Sequence, residues 1–77
     1  MNTTDGKLIA SNIRAERNRV KLTQEEVAKY LGISKKTYIT YEDDAKNICA
    51  TTLLELSRLF NCKISAFYME KQSTECE

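Results

Sequence analysis

Apolar residues recur three and four positions apart along most of the chain, which is the spacing of one face of an α-helix. The pattern is clearest near the centre, where Val27 and Leu31 lie between Thr23 and Gly32. Thr23 is followed three residues later by Glu26, and this capping-box pattern predicts that a helix begins there. Gly32 predicts the end of the helix, because glycine enters the left-handed conformation without strain.

A second short helix is predicted directly after this turn, over about residues 34–42. Ser34 can accept a hydrogen bond from the backbone at its start, and Ala28 is small enough for the two helices to cross closely. Tyr38 and Tyr41 share one face, so we expect them in the core with their hydroxyls in water. The other face carries Lys35, Lys36, Ile39 and Thr40. This is the geometry of a helix-turn-helix unit, whose second helix fits the major groove of B-DNA.

A first helix is predicted before this pair. Thr4 or Asp5 can cap its start, and the apolar spacing continues to about Arg19. Its buried face consists of Leu8, Ile9, Ile13 and Val20. Residues 1–5 are polar and are expected to form a loose arm.

Two more helices are predicted after a loop over residues 43–50. Thr51 or Thr52 can cap the fourth helix, which we expect to run up to a left-handed turn at Asn61. A last short helix is expected to start at Ser65, followed by a frayed tail. No stretch shows the sustained alternation of a strand, so the sequence predicts an all-α fold of five helices.

The composition fits one small domain over residues 1–77, with a core of about residues 7–69 between flexible ends. It has no run of about 18 apolar residues and no secretory signal, so we expect no membrane contact and a cytoplasmic protein. Cys49, Cys62 and Cys76 are widely spaced and histidine is absent. We therefore expect no metal site, disulfide framework or cofactor. Without histidine, a glycine-rich phosphate loop or paired carboxylates, an enzyme is not expected.

The charge distribution is more informative than the net charge of +1. Residues 1–41 contain eight basic and four acidic residues, whereas residues 42–77 contain four basic and seven acidic ones. A basic half that contains the projecting helix suits a phosphate-rich partner. Ordinary surface charge is the alternative interpretation.

The segment from Leu22 to Glu42 resembles the DNA-binding domains of the Cro and lambda-repressor type. The residues that match the family pattern in register are Leu22, Thr23, Gln24, Glu25, Glu26, Ala28, Gly32, Ile33, Ser34, Thr37 and Glu42. The resemblance extends over roughly residues 8–68. It departs from the pattern at Lys21 and Asp44, where the family usually has glycine. Aspartate tolerates positive φ better than most residues, so we expect the turn at Asp44 to survive.

The resemblance implies a five-helix lambda-repressor-like fold that binds double-stranded DNA through the second helix of the pair. The residues expected to contact bases are Lys35, Lys36, Ile39 and Thr40. Lysine can donate to guanine O6 and N7, although phosphate contact or solvation is the alternative for both lysines. Ile39 could contact a thymine methyl group or cover the helix junction, and Tyr38 and Tyr41 are favoured as core residues over DNA contacts.

The resemblance also implies contacts that position the protein, or its third helix, without reading the base sequence. The candidates for contact with the DNA backbone are Gln24, Thr37, Lys46 and Asn47, with capping or solvation as the alternative. Arg17 and Glu42 match family positions that form an ion pair between the first helix and the end of the third. We expect that pair here.

The leading hypothesis is a sequence-specific transcriptional regulator, a repressor of bacterial or phage type. The alternative is a protein-interaction module, such as an antitoxin or adaptor, that uses the same fold. A homodimer on a palindromic operator is expected, because one small unit reads only a few base pairs. The candidate dimer residues are Leu54, Leu59, Tyr68 and Met69, with local packing as the alternative. No small-molecule effector is evident.

Overall fold

In the computed structural model, which describes residues 4–69, the chain forms four α-helices and one 3₁₀ helix. The α-helices are α1 (Thr4–Arg19), α2 (Gln24–Leu31), α3 (Lys35–Asp43) and α4 (Ala50–Phe60), and the 3₁₀ helix is Ile64–Tyr68. The described residues contain no strand, so the prediction of an all-helical fold is confirmed. Because α1 begins at Thr4, the last two residues of the predicted arm are helical. The remainder of the arm, the predicted tail and Cys76 lie outside the described residues.

The last predicted helix is present as a 3₁₀ helix rather than an α-helix and begins one residue before Ser65, so the count of five helices in an all-α fold is not confirmed. The five residues of this helix are too few to offset the cost of nucleating an α-helical turn, and Lys63 provides no side-chain cap. The amide of Ala66 instead donates to the carbonyl of Lys63 at 2.9 Å, which is the tighter spacing of a 3₁₀ turn. This short segment still closes the core through Phe67.

The core lies where the four α-helices and the 3₁₀ helix meet. Its buried apolar residues are Ile9, Ala10, Ile13, Val27, Ala28, Tyr38, Ala45, Leu53, Leu56, Phe60 and Phe67. The rings of Phe60 and Phe67 pack edge to face, with centroids 6.4 Å apart and an interplanar angle of 75°. Asn12 is also buried, and its amide donates to the carbonyls of Phe67 and Met69, both at 2.8 Å. These contacts hold the 3₁₀ helix against α1.

Three turns that follow helices share one backbone motif, with a left-handed residue at Lys21, Gly32 and Asn61. After α2, for example, the amide of Gly32 donates to Lys29 and the next amide donates to Ala28, at 3.1 and 3.0 Å. These two bonds satisfy carbonyls that the helix leaves free. The left-handed turns predicted at Gly32 and Asn61 are confirmed.

Lys21 occupies the first of these turns, after α1, at a φ of 63°. A left-handed residue with a side chain costs about 1–2 kcal/mol, part of which glycine recovers. We expect Lys21→Gly to raise the free energy of unfolding by about 0.5–1 kcal/mol in urea denaturation. Lys29→Gly within α2 is the matched control and should lower it by about 1 kcal/mol. A loss of stability in Lys21→Gly would show that the lysine side chain makes a compensating contact.

The predicted cap of α4 is wrong, and the turn at Asp44 forms in a different conformation from the one expected. Cys49, rather than Thr51 or Thr52, is the N-cap of α4 and makes no side-chain capping bond. The chain is already helical at Ala50, so both threonines lie within the first turn of α4 rather than before it. Asp44 is extended, with a φ of −159°, rather than left-handed. An extended residue needs no glycine, which explains how the turn forms without the family glycine.

Candidate nucleic-acid interface

Side-chain caps define the starts of both α2 and α3. The amide of Glu26 donates to Thr23 Oγ1 at 3.1 Å, and the amide of Thr23 donates to Glu26 Oε1 at 2.8 Å. Ser34 caps α3 by accepting from the amide of Thr37 at 3.1 Å. Ala28 is 2% exposed, consistent with its expected place at the helix crossing. The caps thus fix where the two helices begin, and α3 lies with one face packed inward and the other facing solvent.

The outward side of α3, here called the reading face, comprises Lys35, Lys36, Ile39 and Thr40. All four residues are exposed. The hydroxyl of Thr40 donates to the carbonyl of Thr37 at 2.6 Å, so in this orientation it presents only lone pairs to a ligand. The two lysines lie in the first turn and present positive charge at the start of the face. The reading face can therefore donate through its lysines, accept through Thr40 and make an apolar contact through Ile39.

The four residues predicted to contact the DNA backbone lie on both flanks of α3. Gln24 is half-buried at the start of α2, and its Nε2 donates to Glu42 Oε1 at 3.1 Å. Its second amide hydrogen is left for another acceptor. Thr37 is exposed, and its hydroxyl oxygen accepts from the Ser34 hydroxyl at 3.0 Å. Lys46 and Asn47 are exposed in the loop after α3.

Buried Gly6 holds that loop close to the first turn of α1. The amide of Ala45 donates to the carbonyl of Gly6 at 3.0 Å, and the amide of Lys46 donates to Asp44 Oδ1 at 3.1 Å. A Cβ on Gly6 would meet the Asp44 carboxylate and the backbone nitrogen of Lys46. Glycine is therefore required for this close approach, which places Lys46 and Asn47.

Glu42 lies at the centre of a buried polar cluster that also contains Arg17, Tyr38 and Gln24, called here the Glu42 cluster. Arg17 donates through Nε to Oε2 at 2.6 Å and through Nη2 to Oε1 at 3.3 Å. The side chain of Glu42 is only 3% exposed and that of Arg17 is 13% exposed. Arg17 also donates to the carbonyl of Leu22 at 2.8 Å. The cluster therefore joins α1, the start of α2 and the end of α3.

The hydroxyl of Tyr38 completes this cluster, contrary to the prediction that it reaches water. Tyr38 is 0% exposed, and its hydroxyl donates to Glu42 Oε2. The two residues are four positions apart and therefore adjacent on α3. That spacing was a signal in the sequence, but the burial of both groups depends on packing against α1. Tyr41 is half-buried and packs against the core, as expected.

The cluster shifts the pKa values of its members. Burial alone would raise the pKa of Glu42, but hydrogen bonds from Arg17, Tyr38 and Gln24 outweigh it and lower the pKa below its usual range. The hydrogen bond to Glu42 raises the pKa of Arg17. Burial, followed by the hydrogen bond to Glu42, raises the pKa of Tyr38. Glu42 is thus held as a carboxylate that receives three different donors.

The lowered pKa of Glu42 predicts a specific loss of stability in acid. Its contribution to folding is fully present above the usual glutamate pKa of about 4.3 and is lost as pH falls through the lower, folded-state pKa. We expect the free energy of unfolding to fall more steeply below about pH 5 in the wild type than in Glu42→Gln. Urea denaturation across a pH series measures this difference, and parallel curves for the two proteins would contradict it.

Arg14 is a further exposed residue beside the reading face, and no motif in the sequence indicated it. Its Nη1 donates to the backbone carbonyl of Glu42 at 3.3 Å. A shallow groove, called the α1–α3 groove, lies at this place. The residues that line it are Arg14, Arg17, Gln24, Ile39, Glu42 and Asp43. Arg14 is thus close to both Gln24 and the reading face.

The four candidate dimer residues are exposed to different degrees. Leu54, Tyr68 and Met69 are 41%, 52% and 62% exposed, respectively. Leu59 is half-buried and packs against the core of its own chain, which leaves less of it for a partner. Because Asn12 binds the carbonyls beside Tyr68, the segment that carries Tyr68 and Met69 is fixed to α1.

The described residues contain no group of three or more histidine, cysteine, aspartate or glutamate side chains that could hold a metal ion. Within the same part of the chain, Cys49 is exposed and Cys62 is half-buried, and both are free thiols. No described helix combines the length and apolar character that crossing a membrane requires.

A helix-turn-helix family model matches residues 13–67, which is most of the chain and includes the α2–α3 pair and the Glu42 cluster. The chain therefore belongs to the Cro and lambda-repressor type of helix-turn-helix family, whose domains bind DNA in transcription regulators. The resemblance seen in the sequence is confirmed by this match. Neither a curated protein nor a solved structure gave a significant match.

Proposed function

We propose that this protein is a sequence-specific regulator of transcription that binds double-stranded DNA and reads the major groove with α3. The observation that carries the proposal is the division of α3 into two faces. The inward face is fixed by the buried contacts of Tyr38 and Glu42, while the reading face presents two lysines to solvent. A helix that is held on one side by buried contacts and exposes the other side suits insertion into a groove of fixed shape.

The chemistry of the reading face supports a division of roles. Lys35 and Lys36 donate to guanine O6 and N7, and Ile39 contacts a thymine methyl group. Thr40 accepts from an exocyclic amine of cytosine or adenine, because its own proton is bonded to Thr37. The residues that we assign to the flanking phosphates are Gln24, Thr37, Lys46 and Asn47. Phosphate contacts fix the register in which the base contacts are made.

We further propose that the protein acts as a repressor in the cytoplasm of a bacterial or phage-infected cell. Repression is the simplest regulatory outcome, because occupancy of a promoter is sufficient for it. We expect the region from about residue 7 to residue 69 to be the DNA-binding domain. No cofactor or small-molecule effector has a role in this proposal.

A protein-interaction module, such as an antitoxin or adaptor, is the second candidate. The exposed apolar side chains of Leu54, Tyr68 and Met69 favour it, because such residues form the centres of protein interfaces. Titration of the protein with duplexes selected from random DNA, at several salt concentrations, separates the two functions. Tight and salt-dependent binding to selected duplexes supports the regulator, whereas no preference over random duplexes contradicts it.

Alanine substitution of the two reading-face lysines tests how the groove is read. We expect Lys35→Ala or Lys36→Ala to weaken binding to the selected duplex by about 1–3 kcal/mol and to relax preference at one base pair. Lys63→Ala, an exposed lysine before the 3₁₀ helix, is the matched control and should leave binding unchanged. Competition binding against single-base variants measures the effect. An equal loss on selected and random duplexes would instead assign both lysines to phosphates.

A further inference from the structure

The α1–α3 groove contains polar groups, besides Gln24, that the proposed readout does not use. Arg17 and the Glu42 carboxylate line it but bind each other at 2.6 Å. The groups that remain for a ligand are the guanidinium of Arg14, the second amide hydrogen of Gln24 and the carboxylate of Asp43. Ile39 belongs both to this groove and to the reading face, so the groove adjoins the surface that we assign to DNA.

Arg14 is held in place at the end of α3 without being neutralised. It is exposed, and its one hydrogen bond within the described residues is to the carbonyl of Glu42, at 3.3 Å. That carbonyl belongs to the last turn of α3, where the helix dipole favours a positive charge. Arg14 takes part in none of the ion pairs among the described residues. Its other N–H groups and its full charge are therefore free for an anion.

We propose that Arg14 binds a phosphate of the operator through the α1–α3 groove, on the same flank of α3 as Gln24. This inference rests on the proposed function, because it requires a duplex with α3 in its major groove. In that arrangement, the DNA strand on the Gln24 side of α3 passes beside the α1–α3 groove. The planar guanidinium suits a phosphate better than an ammonium does, because it offers parallel N–H donors.

The negative charge of Asp43 leads to a second prediction for DNA affinity, opposite in sign to the one for Arg14. Asp43 is exposed and lines the same groove, but it forms none of the ion pairs among the described residues, with Arg14 or any other cation. Its carboxylate repels a phosphate that Arg14 attracts, so the groove binds DNA less strongly than Arg14 alone would allow. Removing the charge of Asp43 should therefore strengthen binding, whereas removing the charge of Arg14 should weaken it.

The test measures the affinity of full-length variants for a selected duplex and for a random duplex of equal length, across a series of salt concentrations. We expect Arg14→Ala to reduce the salt slope by about one and to weaken binding to both duplexes by about fivefold at 0.15 M salt. Arg14→Lys should keep the slope, and Asp43→Asn should tighten binding. Arg58→Ala, an exposed arginine on α4 outside the groove, is the control and should change neither quantity.

Thermal unfolding of each variant separates a DNA contact from a structural role at the end of α3. An Arg14→Ala protein that keeps the wild-type slope overturns the proposal, whether or not its stability falls, because a structural role does not release counterions. If the wild type shows salt-dependent binding to the selected duplex and Arg14→Ala binds as the wild type does, the inference fails and the proposed function stands. If the wild type shows no salt-dependent binding to duplex DNA, both fail.

Discussion

Glu42→Ala is expected to lower the free energy of unfolding by about 3–5 kcal/mol, which is a large part of the stability of a chain of this size. The substitution removes the acceptor for Arg17, Tyr38 and Gln24. Both charged side chains are nearly buried, at 3% exposure for Glu42 and 13% for Arg17. Arg17 would thus remain as a buried cation without its counterion, which costs far more than loss of an exposed pair.

Urea denaturation followed by circular dichroism measures this change. Glu25→Ala, an exposed acid in the first turn of α2, is the matched control and should cost no more than about 1 kcal/mol. Adding Arg17→Met to Glu42→Ala should cost less than the sum of the two single changes, because it removes the unpaired cation. An unfolding curve for Glu42→Ala that matches the Glu25→Ala control would show that the ion pair contributes nothing to stability.

The helix-turn-helix pair could be predicted from the sequence because its signals are local. Thr23 and Glu26 bond to each other across three residues, and Gly32 and Ser34 act on their own backbone neighbours. Such interactions depend little on the remainder of the fold. The residues of the reading face could be grouped in the same way, since the helical period of 3.6 residues decides which side chains of α3 lie on one side.

The features that could not be predicted depend on contacts between distant segments. The hydroxyl of Tyr38 is kept from water by packing against other helices, although its spacing from Glu42 is visible in the sequence. The role of Gly6 requires the loop after α3 to lie against α1, some forty residues away in the chain. Arg14 follows no motif, and only the packing of α1 on α3 places it beside the reading face.

Errors at the helix ends had a different cause. Threonine is a common N-cap, which is why the sequence predicts Thr51 or Thr52, but the position of a cap is set by where the chain leaves the preceding loop, here at Cys49. At Lys21 the fold imposes a left-handed residue where the sequence has no glycine. Packing of the helices on both sides of Lys21 overrides its local preference there.

Dimer formation on the operator is the second prediction with a large expected effect. One helix-turn-helix unit contacts only a few base pairs, which is too little to select one site in a genome. Two copies related by a twofold axis double these contacts and match a palindrome whose half-sites are about 34–36 Å apart. The exposed residues Leu54, Tyr68 and Met69 lie outside α3, so they can pair while both reading faces bind DNA.

We expect a duplex that has lost one half-site to bind about 10²–10⁴-fold more weakly, because the second protomer no longer adds its contacts at high effective concentration. Inserting about five base pairs between the half-sites should have a similar effect, because it turns them to opposite faces of the DNA.

Met69→Glu should weaken binding to the full operator and leave binding to a single half-site unchanged. Tyr30→Glu, at a residue 53% exposed on α2, is the control for an added acid and should not affect pairing. Analytical ultracentrifugation gives the stoichiometry, and one protomer per duplex at saturation, with a footprint over a single half-site, would refute the dimer.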